Sequence, residues 1–316
     1  MTSPELIANL YCAPNRKRLD KDLPIHVISS ICHIYENLVA SVSWDNTIRL
    51  WDISTNACIS ILKGCHTGRI RSVCYLDNNR LATASSDTTI RIWDIETGAC
   101  TQTLSGHEKT VWCLAPIDER YLSSASGDET IRLWDTQSGA CIRIMSGSKM
   151  RSIRALCSIG GRMIASGSND YKVRIWNIDT GVCIHVLEGH TSGVWSICQT
   201  DEGDLVTAGG DNTIRIWSPR SWTCLQVLNE ATELPESDST AKRIYIYSAC
   251  TIEKHFVATA SNDYIVRIYD IRTGECVKVL TGHINSVTSI CYGGNDRLVS
   301  GSMDESLRVW NIDTSV

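Results

Sequence analysis

Short stretches in which apolar and polar residues alternate run along the chain, separated by turns rich in Asp, Asn and Gly. Between residues 71 and 104, the segments RSVCYL, RLATAS, TIRIWDI and ACTQTL alternate, and DNN, SDT and ETG lie between them. Alternation with a period of two residues indicates β-strands, and the turn residues indicate hairpins. The 3.6-residue period of helices is absent from these segments. This stretch is therefore predicted to form four short strands.

The same arrangement repeats along the chain. A motif of the form D-x-x-aliphatic-R-aliphatic-aromatic occurs seven times, at intervals of 42, 41, 42, 41, 52 and 41 residues. Its closing aromatic residues are Trp51, Trp93, Trp134, Trp176, Trp217, Tyr269 and Trp310. Four strands in a unit of about 41 residues are typical of one blade of a β-propeller. We therefore predict an all-β fold, a seven-bladed β-propeller over residues 25–316 with four antiparallel strands per blade.

Residues 1–24 and 229–243 lie outside the regular repeat. The last repeat stops after its third strand, and the apolar segment at about residues 5–11 is similar in pattern to the outer strand CISIL. We predict that the N-terminal arm, residues 1–24, closes the ring by supplying the missing outer strand. The 52-residue interval places a polar insertion at residues 229–243, between blades five and six. It is interpreted as an inter-blade surface loop, with a regulatory lid as the alternative.

Charge and cysteine usage narrow the class of function. The chain has 316 residues, with 30 Lys and Arg against 35 Asp and Glu, which gives a formal net charge of −5. This mild acidity argues against a nucleic-acid partner, and the absence of a long apolar run argues against a membrane. The 15 Cys show no C-x-x-C pair and recur with the repeat. Buried thiols in a reducing compartment are therefore expected, with no metal site and no cofactor, in the cytoplasm or the nucleus.

A second set of polar residues also follows the repeat. A His lies 21 residues before the turn Asp in four repeats, and in three of these a Ser lies two residues before that Asp. The three sets are His66, Ser85, Asp87 and Trp93; His107, Ser126, Asp128 and Trp134; and His283, Ser302, Asp304 and Trp310. Although His, Ser and Asp also form hydrolase triads, a catalytic set occurs once in a chain. A structural role is therefore favoured, and no enzymatic activity is predicted.

These motifs resemble the WD-repeat family. Gly-His stands at 106–107, 189–190 and 282–283, and Trp-Asp stands at 51–52, 93–94 and 134–135. The turns and fourth strands are most similar to the propellers of F-box ubiquitin-ligase receptors, although no F-box is recognised here. The resemblance implies a buried hydrogen-bond relay that joins His, Ser or Thr, Asp and Trp. Blades one, four and six lack the His, with Pro24, Lys149 and Lys242 in its place, and blade five has Gly209 instead of Ser. These four blades are expected to be the weaker ones.

Positions that differ between blades are better candidates for a site than positions that every blade shares, such as the Arg of the sevenfold motif. The family resemblance implies that peptides bind on the face where each innermost strand begins. Alignment on the turn Asp predicts a rim made of Trp44, Arg69, Arg71, Trp112, Arg151, Arg154, Asn169, Trp195, Tyr245, Tyr247, Asn262 and Met303. Arg and aromatic side chains are enriched in binding hot spots. We therefore predict an interaction scaffold within a multiprotein complex, whose rim binds a protein or peptide, with an acidic or phosphorylated segment favoured.

A short motif provides the alternative function. Tyr269, Asp270 and Arg272 resemble the WDxR box by which some propellers dock on a cullin–RING adaptor. The resemblance implies a substrate receptor of a ubiquitin ligase. The box overlaps the ordinary repeat, so the scaffold is the preferred prediction.

Overall fold

The computed structural model describes residues 5–11, 26–147, 149–229, 243–253 and 255–313. Within these ranges all 28 regular elements are β-strands, because the short alternating segments bury one face each and end at Asp-, Asn- and Gly-containing turns. No helix in this part of the chain is long and apolar enough to cross a membrane. The expected all-β class is confirmed.

The strands form seven antiparallel sheets of four strands, and each sheet is one blade. Blade one is formed by β2 Ile28–Tyr35, β3 Leu38–Ser43, β4 Ile48–Asp52 and β5 Ala57–Leu62, and blade two by β6 Ile70–Tyr75, β7 Arg80–Ser85, β8 Ile90–Asp94 and β9 Cys100–Leu104. Blade three is formed by β10 Val111–Pro116, β11 Tyr121–Ser126, β12 Ile131–Asp135 and β13 Cys141–Met145. Blade four is formed by β14 Ile153–Ser158, β15 Met163–Ser168, β16 Val173–Asn177 and β17 Cys183–Leu187.

Blades five to seven continue the series. Blade five is formed by β18 Val194–Gln199, β19 Leu205–Gly209, β20 Thr213–Trp217 and β21 Cys224–Asn229. Blade six is formed by β22 Ile246–Ile252, β23 Phe256–Ser261, β24 Val266–Asp270 and β25 Glu275–Leu280. Blade seven is formed by β26 Val287–Tyr292, β27 Arg297–Ser302 and β28 Ser306–Asn311, with β1 Glu5–Tyr11 beside β28. Each innermost strand contacts the innermost strands of both neighbouring blades, and β26 contacts β2. The seven blades therefore form a ring, and the predicted propeller is confirmed.

The hydrophobic core lies between neighbouring blades. Trp134 of blade three, for example, lies in one cluster with Ile90 and Leu104 of blade two. The Trp and Leu side chains of such clusters are almost completely buried, which removes large apolar areas from water at every blade boundary. The seven boundaries repeat this packing, which explains the fixed spacing of the aromatic residue in the sequence motif.

The seventh blade takes its outer strand from the N-terminal arm. β1 pairs antiparallel to β28, with Leu6 opposite Trp310 and Leu10 opposite Leu307. Leu10 is buried in a cluster that also contains Val309. The rest of the arm, and residues 230–242 of the predicted insertion, lie outside the described residues.

The cysteines fall into two groups according to the strand that carries them. Those that close the innermost strands lie among apolar side chains, and burial raises the pKa of Cys32 and Cys157 to about 12. The expectation of buried thiols is wrong for four of the six outer-strand cysteines, whereas Cys100 and Cys183 are half-buried. Cys58, Cys141, Cys224 and Cys276 are exposed there, because an outermost strand packs on the blade along one edge only.

Candidate functional site

A β-bulge begins the innermost strand of every blade and directs one side chain into the central channel. The pairing register with the second strand skips one residue in each blade, for example Trp112 between Val111 and Cys113. An unpaired bulge residue is a common device for aiming a side chain. The seven bulge residues all line one channel of about 380 Å³, and they are Ser29, Arg71, Trp112, Arg154, Trp195, Tyr247 and Thr288.

Five rim residues from blades one to four stack into what we call the cationic arc: Trp44, Arg69, Arg71, Trp112 and Arg154. The Arg69 and Arg71 guanidinium carbons lie 4.2 and 5.3 Å from the centroid of the Trp44 ring. The Trp112 ring lies between the next two, 4.8 Å from Arg71 and 3.6 Å from Arg154. Cation–π attraction thus holds Arg71 and Arg154 against the same indole, that of Trp112. The Trp residue that separates the two Arg residues in the alignment joins them in space.

The charge of the cationic arc is not neutralised within the part of the chain that the structure describes. The salt bridges found there include none of its three Arg residues. Burial, together with the nearby charges of Arg69 and Arg154, lowers the pKa of Arg71 to about 10, and burial also lowers the pKa of Arg154. Arg71 stays cationic at neutral pH, since its pKa remains well above 7. The arc is therefore a partly desolvated positive surface that favours an anionic partner.

The rim residues of blades four to six form a second, uncharged group, which we call the aromatic arc: Asn169, Trp195, Tyr245, Tyr247 and Asn262. The rings of Trp195 and Tyr247 are stacked at 5.7 Å, and Tyr245 meets Trp195 edge-on at 5.8 Å. Trp195 donates its indole N–H to the side-chain oxygen of Asn169 at 3.2 Å. Asn262 accepts a hydrogen bond from the Tyr245 backbone N–H at 2.6 Å. These contacts fix half-buried rings that retain exposed area for apolar contacts.

Two predicted rim residues lie outside both arcs. Met303 lines the channel near Thr288 and Ser29. Arg151 is exposed, and none of the ring contacts or ion pairs of the described residues includes it. The predicted rim did not include Ser86, whose hydroxyl accepts a hydrogen bond from Arg71 Nε at 2.9 Å. Ser86 directly precedes the turn Asp of blade two. The rim prediction used this same position in other blades, where it is Trp44, Asn169, Asn262 or Met303.

The relay exists, but its hydroxyl comes from a different position than predicted. In blade three, His107 Nδ1 is 2.7 Å from Asp128 Oδ2, and Nε2 is 2.7 Å from Ser124 Oγ. Trp134 donates its indole N–H to the same Ser124 oxygen at 2.8 Å. Ser126 instead accepts from the Asp128 backbone N–H, because it lies at the turn, above the level of the indole.

The same correction applies to the other predicted sets. Ser85 and Ser302 accept a hydrogen bond from the turn and donate one to a carbonyl of the preceding loop. Thr83 and Ser300 are the residues that join His and Trp. A hydroxyl residue stands four positions before the turn Asp in all seven repeats, which is the signal that sequence reasoning missed. Blade five has the complete relay through Thr207. Its Gly209 removes the turn contact and the bond to the preceding loop that a Ser makes at this position in other blades, but not the relay.

Blades one, four and six use Arg in place of the predicted His contact. Arg174 Nη2 lies 2.6 Å from Asp170 Oδ2, and Arg267 makes the same bond to Asp263 at 2.6 Å. In blade one, Arg49 is 2.9 Å from Asp45, and His26 reaches the same carboxylate from a position two residues later than expected. Arg49, Arg174 and Arg267 are buried, whereas the corresponding Arg residues of the other four blades are half-exposed.

The candidate docking box has one accessible residue. Tyr269 is buried in the core between blades five and six, and Asp270 is buried beside it. Arg272 is largely exposed and contacts Asp270 at 3.2 Å. Within the described ranges, no group of three or more His, Cys, Asp or Glu side chains has an arrangement that could hold a metal ion.

Comparison with known proteins identifies the family. Residues 20–52, 56–94, 98–135, 139–177, 181–218 and 274–311 match the family described as WD domain, G-beta repeat. The chain therefore belongs to the WD-repeat family, which is typical of protein-interaction scaffolds. Residues 219–273 lie outside the matched segments, and they include the copy of the motif in which Tyr269 replaces the Trp.

Several curated proteins are similar over part of the chain. An uncharacterized WD repeat-containing protein of Schizosaccharomyces pombe is 30% identical over 40% of this chain and 32% of its own length. A ribosome biogenesis protein WDR12 homolog of Trichoplax adhaerens is 29% identical over 39% of this chain and 28% of its own length. The F-box/WD repeat-containing protein sel-10 of Caenorhabditis elegans is 30% identical over 38% of this chain and 19% of its own length. The matched region thus spans about a third or less of each relative.

Proposed function

We propose that this protein is a non-enzymatic scaffold whose rim binds an acidic or phosphorylated segment of a protein partner. The observation that carries the proposal is the cationic arc, in which three Arg residues lie on two Trp rings without a salt bridge among the described residues. Stacking on an indole occupies the face of a guanidinium. The Nε of Arg71 already donates to Ser86, but the Nη groups of the arc stay available, and such groups bind carboxylate or phosphate in bidentate fashion.

The aromatic arc supplies the second half of the proposed binding surface. Trp195 and Tyr247 line the same channel as Arg71 and Arg154, so a single extended segment can contact both arcs. Because the rings are already held by stacking and hydrogen bonds, little side-chain freedom is lost on binding. We expect acidic residues of the partner at the cationic arc and apolar residues at the aromatic arc.

Relatives supply the cellular context of the proposal. One relative is named as a ribosome biogenesis protein, and another as a U3 snoRNP-associated protein-like protein from Arabidopsis thaliana. These names favour a nuclear multiprotein complex over the cytoplasmic location expected from the sequence. The absence of a direct nucleic-acid partner stays a prediction, so binding experiments need a ribonuclease control.

The double variant Arg71→Glu/Arg154→Glu tests the proposed rim. We expect it to fold normally and to lose the partner, because loss of a binding hot spot costs roughly 2 kcal/mol or more. The measurement is affinity purification with quantitative mass spectrometry, before and after ribonuclease treatment. Arg220→Glu, an exposed reversal of the same charge outside the channel, is the control. Recovery of the same partners by the double variant would place the binding surface elsewhere.

A ubiquitin-ligase receptor is the second candidate, because Arg272 is accessible and one relative is an F-box/WD repeat-containing protein. Arg272→Ala should then remove a co-purifying cullin adaptor and leave the unfolding temperature almost unchanged. Arg220→Ala is the matched control at the corresponding turn of blade five. If no ligase subunit accompanies the wild-type protein, this second candidate is wrong.

A further inference from the structure

Blade four contains a cavity of about 450 Å³ that is separate from the central channel. Its wall includes Gly147, Lys149, Asp170, Lys172, Arg174 and Trp176. None of these residues lines the channel or belongs to either arc. The volume lies in the range typical of small-molecule sites, which is about 300–1,000 Å³.

The cavity lies where other blades place the relay His. In blade three the ring of His107 contacts Ser124 and Asp128 and lies 6.2 Å from the Trp134 ring, so the imidazole occupies this space. In blade four Lys149 stands at the His position and is exposed. Its side chain therefore lines the mouth of the cavity and does not fill the interior.

The wall of the cavity carries more positive than negative charge. Arg174 pairs with Asp170 through Nη2, and Lys172 donates to Glu188 at 2.5 Å. Lys149 adds a third cation, and no salt bridge of the described residues includes it. An ammonium group has three donors, so Lys172 keeps N–H groups for a further acceptor.

Arg174 also has an unused donor. The residue is 7% exposed, and its Nη1 atom has no hydrogen-bond partner. A buried N–H without an acceptor costs free energy, and an incoming oxyanion would remove that cost. In blade three, which has a relay His, the corresponding guanidinium lies against the loop. Arg132 Nη1 is only 2.7 Å from the point that a Cβ on Gly106 would occupy.

We infer that the blade-four cavity is a binding site for the phosphate group of a small molecule. Two ammonium groups and one guanidinium line the wall from three different residues, and this distribution suits the oxygens of a tetrahedral anion better than a planar carboxylate. The ring of Trp176 provides an apolar wall for the rest of the ligand. This site is independent of the proposed rim function.

The test is an amide chemical-shift titration of the ²H,¹⁵N-labelled full chain with inorganic phosphate, at constant ionic strength maintained with KCl. We expect saturable shifts at Gly147, Lys149 and Lys172. Lys149→Glu should weaken phosphate binding about tenfold or more, because a charge-assisted hydrogen bond is replaced by repulsion. Lys109→Glu makes the same charge change on an exposed residue of blade three and should bind phosphate as the wild type does.

Two further titrations separate the cavity from the rim and a tetrahedral anion from a planar one. The double variant Arg71→Glu/Arg154→Glu should keep the blade-four shifts, because neither residue lines the cavity. Acetate should produce weaker shifts than phosphate, and equal binding of acetate would contradict the assignment to a tetrahedral anion. Shifts that do not saturate, or a phosphate affinity that Lys149→Glu leaves unchanged, would overturn the site. So would binding of a phosphoserine peptide when inorganic phosphate does not bind.

Discussion

Blades two, three, five and seven hold their turn Asp with a His, blades four and six hold it with an Arg, and blade one uses both His26 and Arg49. In blade three the carboxylate of Asp128 is 2.7 Å from His107, which lies in the loop before the innermost strand. In blade four the carboxylate of Asp170 is 2.6 Å from Arg174, which lies four residues later in the same hairpin. Both arrangements give the buried carboxylate a hydrogen-bond partner. Only the His also connects the incoming loop to the hydroxyl and the indole in the middle of the blade.

This difference changes what each blade can do beyond folding. A His blade uses its loop as part of a closed hydrogen-bond network, and buried networks of this kind are stable when every member is satisfied. An Arg blade satisfies the carboxylate locally, so its loop and the space beneath it have no part in the relay. In blade four that space is the cavity beside Lys149. Of the four blades expected to be weak, blades one, four and six therefore hold their turn Asp in a different way, and blade five has the complete relay.

The largest effect should come from removing the buried Arg of an Arg blade. Arg174→Ala leaves Asp170 buried without its partner, which costs about 3 kcal/mol or more. Arg132→Ala removes the corresponding but half-exposed residue of a His blade and should cost less than about 1 kcal/mol. Urea unfolding of both variants measures the difference. Similar losses of stability would break the distinction between the two kinds of blade.

A smaller effect is expected from the reciprocal pair. His107→Ala removes the partner of Ser124 and Asp128, and buried polar groups left in this way cost about 1–3 kcal/mol. Lys149→Ala changes the same alignment position in an Arg blade, where the side chain is exposed, and should stay within about 0.5 kcal/mol of the wild type. Thermal and urea unfolding can compare them directly. If Lys149→Ala is as destabilising as His107→Ala, the relay does not explain the His.

The smallest effect is expected from the pH dependence of folding stability. Burial acts to raise the pKa of Asp304, but the hydrogen bond and charge of His283 lower it to about 2, compared with an ordinary value of 3.8. A lowered folded-state pKa stabilises the protein above about pH 4, and this contribution is lost as the pH falls towards 2. Asp304→Asn should therefore be less stable at pH 7 and lose less stability between pH 4 and pH 2. The exposed control Asp201→Asn should follow the wild type in urea titrations at each pH.

The repeat predicted the architecture because each blade carries the same pattern independently. The fixed interval from Asp to aromatic sets strand length, and the bulge position follows from the constant offset to Arg71, Trp112 and Trp195. The positions of the seven channel-lining bulge residues could therefore be located from the sequence. Their grouping could not, because the contact of Trp112 with both Arg71 and Arg154 depends on the curvature of the ring.

The sequence was less informative about hydrogen bonds. Ser126 and Ser124 lie on the same face of their strand, and the spacing alone favoured the Ser nearer to Asp128. Only the depth of the Trp134 indole selects Ser124. The Arg blades were missed for a similar reason: the motif Arg is present in all seven repeats, so nothing in the pattern separates Arg174 from Arg132. The orientation of the motif Arg side chain depends on which residue stands at the His position of the preceding loop.

The bulges at the channel make this propeller a useful scaffold for protein engineering. Each of the seven channel side chains projects from a residue that the pairing register skips. Ser29 and Thr288 donate to backbone carbonyls of the neighbouring blade, whereas the other five are Arg or aromatic residues. A combinatorial library restricted to those five codons would vary recognition while the frame stays constant. Exchanging the residues of blades two to four with those of blades five to seven would move the charge to the opposite side of the ring. In evolution, the same geometry allows a gene duplicate to acquire a new partner by point substitutions, with no insertion or deletion.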